Sequence, residues 1–206
     1  LGERVKRAAA YWCWREQDES WEEIREAQLD HLERHLGPHR RYWAADGGTF
    51  PPGAVVQFTP PSHPGVFVYT TLGMSAQAMP RVEMHYEDPA PCRRVELALG
   101  ARDDSPEFAR TLSWAMGMPW RDCNWLGDGH TISWDEAPAG GVLLLAQPPA
   151  AGRAGLLRRP LPPPSLPGFT DRSGDPVTYL WMMKITLTEQ DYAEKHSSAK
   201  LAAVLE

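Results

Sequence analysis

Proline is concentrated in one part of this 206-residue chain, and that concentration limits what the chain can fold into. Eight of the 20 prolines lie in residues 147–176, among them Pro162, Pro163 and Pro164. Because proline has no amide hydrogen and fixes φ, this stretch favours neither a helix nor a central strand. We therefore predict an extended loop, partly of polyproline form, between the last two strands. Too little sequence follows it to build a second core, so we predict a single domain over residues 1–206.

Four segments carry the composition of buried β-strands. Residues 54–59 and 66–72 are apolar and β-branched, and the Pro/Gly-rich residues 60–65 between them predict a turn or wide loop. Residues 142–145 form a continuous apolar run, which is typical of a strand buried on both faces. Residues 177–187 predict a long final strand.

Two further segments alternate apolar and polar residues. The alternation in residues 81–87 and again in residues 94–99 predicts strands with one face in water. Because the intervening Asp-Pro-Ala-Pro is a turn sequence, we expect these two strands to be hairpin-like neighbours.

Helix signals stand near both ends and in the middle. Ser20 and Glu23 form a capping-box pattern before apolar residues at helical spacing, which predicts a helix over residues 20–36. Ser105, followed by proline and glutamate, predicts a second helix start. Thr188 with Asp191 predicts the cap of a C-terminal helix. The pattern as a whole favours an α/β (α+β) fold, with a central mixed β-sheet flanked by helices.

The totals exclude several classes of protein. A net charge of −6 argues against nucleic-acid binding, which needs a basic surface to hold phosphates. Three widely spaced cysteines, with no CxxC pair, favour a reduced cytoplasmic protein without a disulfide framework. No apolar run approaches the roughly 20 residues that cross a bilayer. No phosphate-binding or dinucleotide-binding motif occurs, so we expect no cofactor.

A catalytic role is the weaker interpretation of the Gly127-Asp128-Gly129-His130 sequence. Asp128 could orient the His130 imidazole as a general base, with Cys123 or Ser133 as the nucleophile. Gly-Asp-Gly is first of all a turn sequence, however, and no nucleophile-elbow motif surrounds either candidate. We therefore predict a turn and no enzymatic activity, and keep a hydrolase as the alternative.

A metal site is also disfavoured. His31 and His35 have the spacing that lets two imidazoles share a metal, but Leu32 stands where the HExxH motif has glutamate. We predict that both histidines face solvent and that no metal is bound.

The chain has nine tryptophans, four of them in residues 114–134. Trp114, Trp120, Trp125 and Trp134 surround the glycine-rich turn. Tryptophan is common both in cores and at protein interfaces, so we expect most of these rings in the core and one or two at the surface.

Five blocks of this sequence resemble the Suppressor of fused family. They are PPSHPGVFVYTTLGMS at residues 60–75, RRVELALGAR at 93–102, NWLGDGHTI at 124–132, VLLLAQP at 142–148 and MKITLTEQDYAEKHSSAKLAAVL at 183–205. The resemblance is strongest over residues 50–206. It implies the fold of the N-terminal domain of that family.

The same resemblance implies that the protein binds other proteins. Animal members hold transcription factors by clamping an extended peptide, and bacterial relatives are proposed immunity proteins that neutralise polymorphic toxins. The Ala/Pro/Arg-rich composition favours the bacterial branch. We therefore expect a non-enzymatic immunity protein. A peptide-binding adaptor with a housekeeping partner is a further alternative that the sequence cannot separate from it.

Two surface features are candidates for the partner-binding site. The turn is a loop of the kind that carries function, and a nearby tryptophan could anchor a partner. The acidic first helix could attract a basic partner such as a nuclease. The predicted site residues are Trp125, Gly127, Asp128, Gly129, His130 and Thr131, with Glu22, Glu23 and Glu26 on the helix.

Overall fold

The computed structural model describes residues 21–44, 53–133, 141–145, 164–172 and 174–205. The helices in these ranges are α1 (Trp21–Leu36), α2 (Pro80–His85), α3 (Pro106–Met116), α4 (Met118–Arg121), α5 (Leu187–His196) and α6 (Ser198–Leu205). The strands are β1 (His39–Ala44), β2 (Ala54–Phe58), β3 (Phe67–Leu72), β4 (Val95–Ala101), β5 (Thr131–Ser133), β6 (Gly141–Leu145), β7 (Phe169–Thr170) and β8 (Pro176–Ile185). No helix in these ranges is both long and apolar enough to cross a membrane.

One mixed sheet organises the fold, in the order β1-β2-β3-β4-β8-β6-β5 within the described residues. Strands β1 to β4 form an antiparallel meander, and β8 then pairs with β4 in parallel. Strand β6 lies antiparallel to β8, and β5 lies antiparallel to β6. The predicted class, an α+β domain with a central mixed sheet, is therefore confirmed.

Each face of the sheet packs against different helices. On one face, α1 contributes Leu32 and Leu36 to a cluster with Tyr179 and Trp181 of β8. On the opposite face, α3 contributes Leu112 and Met116 to a larger cluster, with Leu126 from the segment that follows α4. Alternate residues of β4 and β8 therefore enter different cores, which is why both strands are apolar almost throughout.

A buried carboxylate joins α1 to the sheet. Glu96 of β4 is 1% exposed and accepts hydrogen bonds from Thr71 Oγ1 at 2.6 Å, Ser75 N at 2.9 Å, Ser75 Oγ at 2.7 Å and Gly73 N at 3.1 Å. Gln28 of α1 donates to Ser75 Oγ and accepts from Gly73 N, each at 2.8 Å. Burial raises the pKa of Glu96, and the hydrogen bonds to its carboxylate oppose that rise. No local sequence pattern indicates this network.

The prediction of a strand over residues 81–87 was wrong, because this segment forms the helix α2. Pro80 occupies the first turn, where a missing amide hydrogen costs nothing, and Tyr86 N bonds Val82 O at 3.0 Å as the helix ends. The hairpin partnership expected with residues 94–99 is therefore absent. The prediction that the strand over residues 94–99 has one face in water was also wrong. Strand β4 is buried on both faces apart from half-buried Gly100.

The C-terminal helix begins earlier than predicted and is divided in two. Its cap is Thr186, not Thr188, since Thr186 and Glu189 form a full capping box. Ser197 has φ of 109° and separates α5 from α6. The predicted cap Ser20 lies outside the described residues.

Only part of the predicted proline-rich loop lies within the described ranges. Residues 147–163 lie outside them, and the remainder runs extended into β7, which pairs with the start of β8. The turn closed by the hydrogen bond from Gly174 N to Asp171 O is held by Arg93 and Arg94, whose guanidinium groups contact Asp175 at 2.6 to 2.8 Å. Although burial opposes it, these arginines lower the pKa of Asp175 to about 2.

We expect this turn to give the protein a measurable acid sensitivity. Because the folded pKa of Asp175 lies below its ordinary 3.8, its contribution is complete above about pH 4 and is lost as the pH falls towards 2. The free energy of unfolding should fall by about 2 kcal/mol over this pH range. Urea titrations should show that Asp175→Asn is less stable at pH 7 and loses less additional stability between pH 4 and pH 2. An identical loss in both proteins over that range would contradict the assignment.

Candidate protein-binding site

The glycine-rich turn at residues 127–130 lies beside the edge of the sheet, and hydrogen bonds within the turn and to β6 fix its backbone. His130 N donates to Gly127 O at 3.1 Å, and Gly129 has φ of 78°, which glycine supplies at the third position of a type II turn. Gly129 N donates to Leu144 O, and Leu144 N donates to His130 O, each at 2.8 Å. The backbone of the turn is therefore held to β6, and the prediction of a turn is confirmed.

Three rings make an aromatic cluster against this turn: Tyr86, Trp125 and His130. Trp125 is half-buried and meets Tyr86 edge-on at 5.3 Å and His130 edge-on at 4.2 Å between ring centroids. Its ring covers Gly127, where an added Cβ would lie 2.6 Å from the Trp125 ring. Glycine is therefore required at residue 127 for the ring to lie in this position. Tyr86 is 36% exposed, so the cluster presents aromatic surface to solvent.

Strand β5 continues directly from the turn and is the last strand of the sheet in the described ranges. It pairs with β6 through Thr131, Ile132 and Ser133. A strand at a sheet edge has one row of backbone amide and carbonyl groups directed away from its neighbour. Such a row can pair with an extended segment of another chain. The aromatic cluster and a pairing edge therefore lie next to each other.

The structure separates the two halves of the predicted site. Trp125 and residues 127–131 come together, and Trp125 packs on the core that contains α3. Glu22, Glu23 and Glu26 are exposed on α1, which packs on the opposite face of the sheet. Glu23 also pairs with Arg172, and Arg25 lies 3.9 Å from Glu22 and 4.0 Å from Glu26. These carboxylates therefore do not form one contact surface with the turn.

His130 and Cys123 were considered above for catalysis, and His31 and His35 for metal binding. The His130 ring packs against Trp125, and Cys123 is exposed in the loop after α4 with φ of 48°. This arrangement gives no support to the hydrolase alternative. His35 is exposed as predicted, but His31 was wrongly predicted to face solvent, because it is buried against Phe169 and Tyr179. In the described part of the chain, no three potential ligands are grouped as a metal site.

Tyr86 is the site residue that no sequence pattern indicated. It was assigned to a strand, and its contact with Trp125 joins residues 39 positions apart in the chain. Met84, which is 42% exposed on α2, is an apolar neighbour in the same stretch. Trp114 is exposed on α3 beside Arg121, and Trp134 lies outside the described residues.

Comparison with known proteins identifies the family. The sequence profile of the Suppressor of fused protein (SUFU) family matches residues 51–206. The chain belongs to the Suppressor of fused family. The matched range includes the whole aromatic cluster and β5, whereas α1 and its carboxylates precede it. No curated protein sequence matches the chain.

Three solved structures share the fold. A SUFU homologue from Neisseria gonorrhoeae has a TM-score of 0.60 and 18% identity, with 88% of each chain covered. The structure of a Sufu–Fu complex has a TM-score of 0.58 and 15% identity, covering 86% of this chain and 82% of the other. Drosophila Suppressor of fused has a TM-score of 0.56 and 13% identity, covering 84% of this chain and 44% of that protein. The Suppressor of fused family is a protein-binding, non-enzymatic family, and this chain has its fold.

Proposed function

We propose that this SUFU-family chain binds a protein partner at the aromatic cluster and the adjacent edge of β5. The observation that carries the proposal is the position of half-exposed Trp125 and Tyr86 directly beside a strand edge. A relative of the same fold is known in a Sufu–Fu complex, which supports protein binding as the general activity.

The geometry favours an extended segment as the bound element. A segment added to β5 would gain main-chain hydrogen bonds, which provide affinity with little dependence on sequence. A side chain of that segment directed towards Trp125 would be selected by the aromatic cluster. Large, partly desolvated aromatic residues commonly contribute most of the binding free energy of an interface.

We further propose that the partner is a toxin domain of a bacterial polymorphic toxin system, and that the chain is its cytoplasmic immunity protein. The fold match to a bacterial homologue over 88% of both chains supports a bacterial setting. The net charge of −6 favours a basic partner such as a nuclease.

The proposal predicts that a toxin domain is encoded beside this gene, and co-expression of the two proteins tests it. We expect a stable complex on affinity purification and loss of the toxicity of that domain in the co-expressing cells. Purification of each protein alone, with toxicity unchanged, would contradict the immunity role. A complex with another protein at the same surface would instead support the adaptor alternative.

The acidic helix should affect the rate of association. We expect Glu22→Lys with Glu26→Lys to slow association with a basic toxin domain about 3- to 10-fold at low salt, because both carboxylates are exposed and face away from the cluster. The dissociation rate should not change. Stopped-flow measurements at several salt concentrations provide both rates and should show a flatter salt dependence.

The neutral pair Glu22→Gln with Glu26→Gln is the matched control, since it changes the charge half as much at the same positions. Its effect on association should be intermediate. Equal effects of the two double variants, or a faster dissociation in either, would show direct contact instead of long-range attraction.

A further inference from the structure

Residues 164–172, here called the strap, cross the face of the sheet that α1 covers. The Pro167 carbonyl accepts a hydrogen bond from His31 Nε2 of α1 at 3.0 Å, over a sequence separation of 136 residues. Because a carbonyl can only accept, Nε2 carries the proton. The next part of the strap is β7, which pairs with β8, and Gly168 lies so close to β8 that an added Cβ would be 2.4 Å from Val177 O.

His31 is enclosed by rings from three elements. It is 8% exposed, and its ring stacks parallel to Tyr179 of β8 at 6.1 Å and lies 5.1 Å from Phe169 of the strap. The ring of His35, one turn further along α1, is 4.7 Å away. All seven histidines of the chain lie within the described residues, and His31 is the buried one.

The surroundings favour a neutral imidazole. Arg34 and His35 of α1 repel a positive charge, the strap meets the ring with a carbonyl and a phenyl group, and β8 meets it with Tyr179. Glu96, the carboxylate that influences Tyr179, is engaged by Thr71, Gly73 and Ser75. Burial lowers the pKa of His31, and the bond to Pro167 opposes that effect only in part.

We propose that His31 is a pH-responsive latch, which holds the strap against α1 when neutral and releases it when protonated. A second proton, on Nδ1, places a positive charge in a buried site beside Arg34 and His35, which is unfavourable. Because water can solvate the charged ring once the strap has moved away, protonation favours release of the strap. The stabilising contribution of His31 is complete above the ordinary histidine pKa of 6.5 and is lost as the pH falls below 6.5 through the lower pKa of the folded protein.

The other strap contacts make this release local. Arg172 and Glu23 form an ion pair in which each side chain is 60% exposed, so the pair contributes little to holding the strap in place. Asp171 and Asp175 contact Arg94 at 2.8 Å. Because the two arginines hold the pKa of Asp175 at about 2, its ion pair with Arg94 persists at pH 5.5, and this end acts as the anchor about which residues 164–170 can separate.

Amide hydrogen exchange at pH 7.5 and 5.5, corrected for the intrinsic rates, tests the latch. Protection of the amides of residues 165, 166 and 168–170 should fall about tenfold at pH 5.5, while that of β3 and β4 is kept. In His31→Gln, which can still donate to Pro167 but does not titrate, protection should be the same at both pH values. His63→Gln, a change at a half-buried loop histidine, should behave like the unmodified protein.

An unmodified protein whose strap is equally protected at both pH values would overturn the proposal. So would His31→Gln with the full pH dependence retained. If that variant does not fold, a titration of the unmodified protein by NMR decides the matter. Strap amide shifts that follow the His31 ring support the latch, and shifts that follow another group contradict it.

Discussion

Replacing Glu96 by alanine is expected to lower the free energy of unfolding by about 3–5 kcal/mol, as measured by urea titration. The substitution leaves Thr71 Oγ1, Ser75 N and Ser75 Oγ buried without the carboxylate that accepts their hydrogen bonds, whereas Gly73 N keeps its bond to Gln28. Each such donor costs roughly 1–3 kcal/mol. Removing a carboxyl group whose pKa is raised by burial offsets part of this loss but does not cancel it.

Glu96→Gln separates the hydrogen bonds from the volume of the side chain. The amide keeps one acceptor oxygen and the length of the side chain, so the loss should be smaller, about 1–2 kcal/mol. Equal stability of the alanine variant and the unmodified protein would mean that the network does not hold α1 to the sheet.

Replacing Trp125 by alanine should weaken partner binding by about 2 kcal/mol or more, which is roughly 30-fold in the dissociation constant. Its ring lies between Tyr86 and His130, so truncation removes the middle of the aromatic cluster. The change should be mainly a faster dissociation, since the ring acts after the first encounter. Surface plasmon resonance provides both rates.

Trp114→Ala is the control for the loss of a partly exposed tryptophan. Trp114 lies on α3 beside Arg121, outside the aromatic cluster, so binding should be unchanged. Because Trp125 also packs on the core, its variant needs a denaturation curve showing that it is folded at the assay temperature. A folded Trp125→Ala protein with normal affinity would show that the cluster is not the site.

Local signals predicted most of the elements. The spacing of Leu32 and Leu36 indicated α1, and both lie in the core beneath it. Ser105 caps α3 by accepting from Glu107 N at 3.3 Å, as its sequence indicated. These signals succeed because spacing and capping depend on residues within one or two turns of each other.

The wrong predictions concern features that distant residues decide. Residues 81–87 alternate like a strand, yet Glu83 is buried and pairs with Arg93 at 2.9 Å, an interaction that a helix at this place permits. The sequence around His31 is typical of an exposed helix position. In the fold, the strap, more than 130 positions away in the chain, covers this residue. The parallel pairing of β4 with β8 likewise joins segments about 80 residues apart, and no local pattern encodes it.

The candidate site was predictable in part for the same reason. The turn at residues 127–131 has its own sequence signature, and Trp125 is next to it in the chain. Tyr86 and the edge position of β5 depend on the order of strands in the sheet. The separation of Glu22 from this site depends on which face α1 covers.

Amide hydrogen exchange of the protein alone and in complex with the proposed toxin partner tests the central claim most directly. A partner strand added to the sheet edge should protect residues 131–133, and an anchor on the aromatic cluster should protect residues 125–130. Exchange in β1, at the other edge of the sheet in the described residues, should not change. Protection confined to β1 or α1, with residues 125–133 unaffected by a bound partner, would contradict the proposed site.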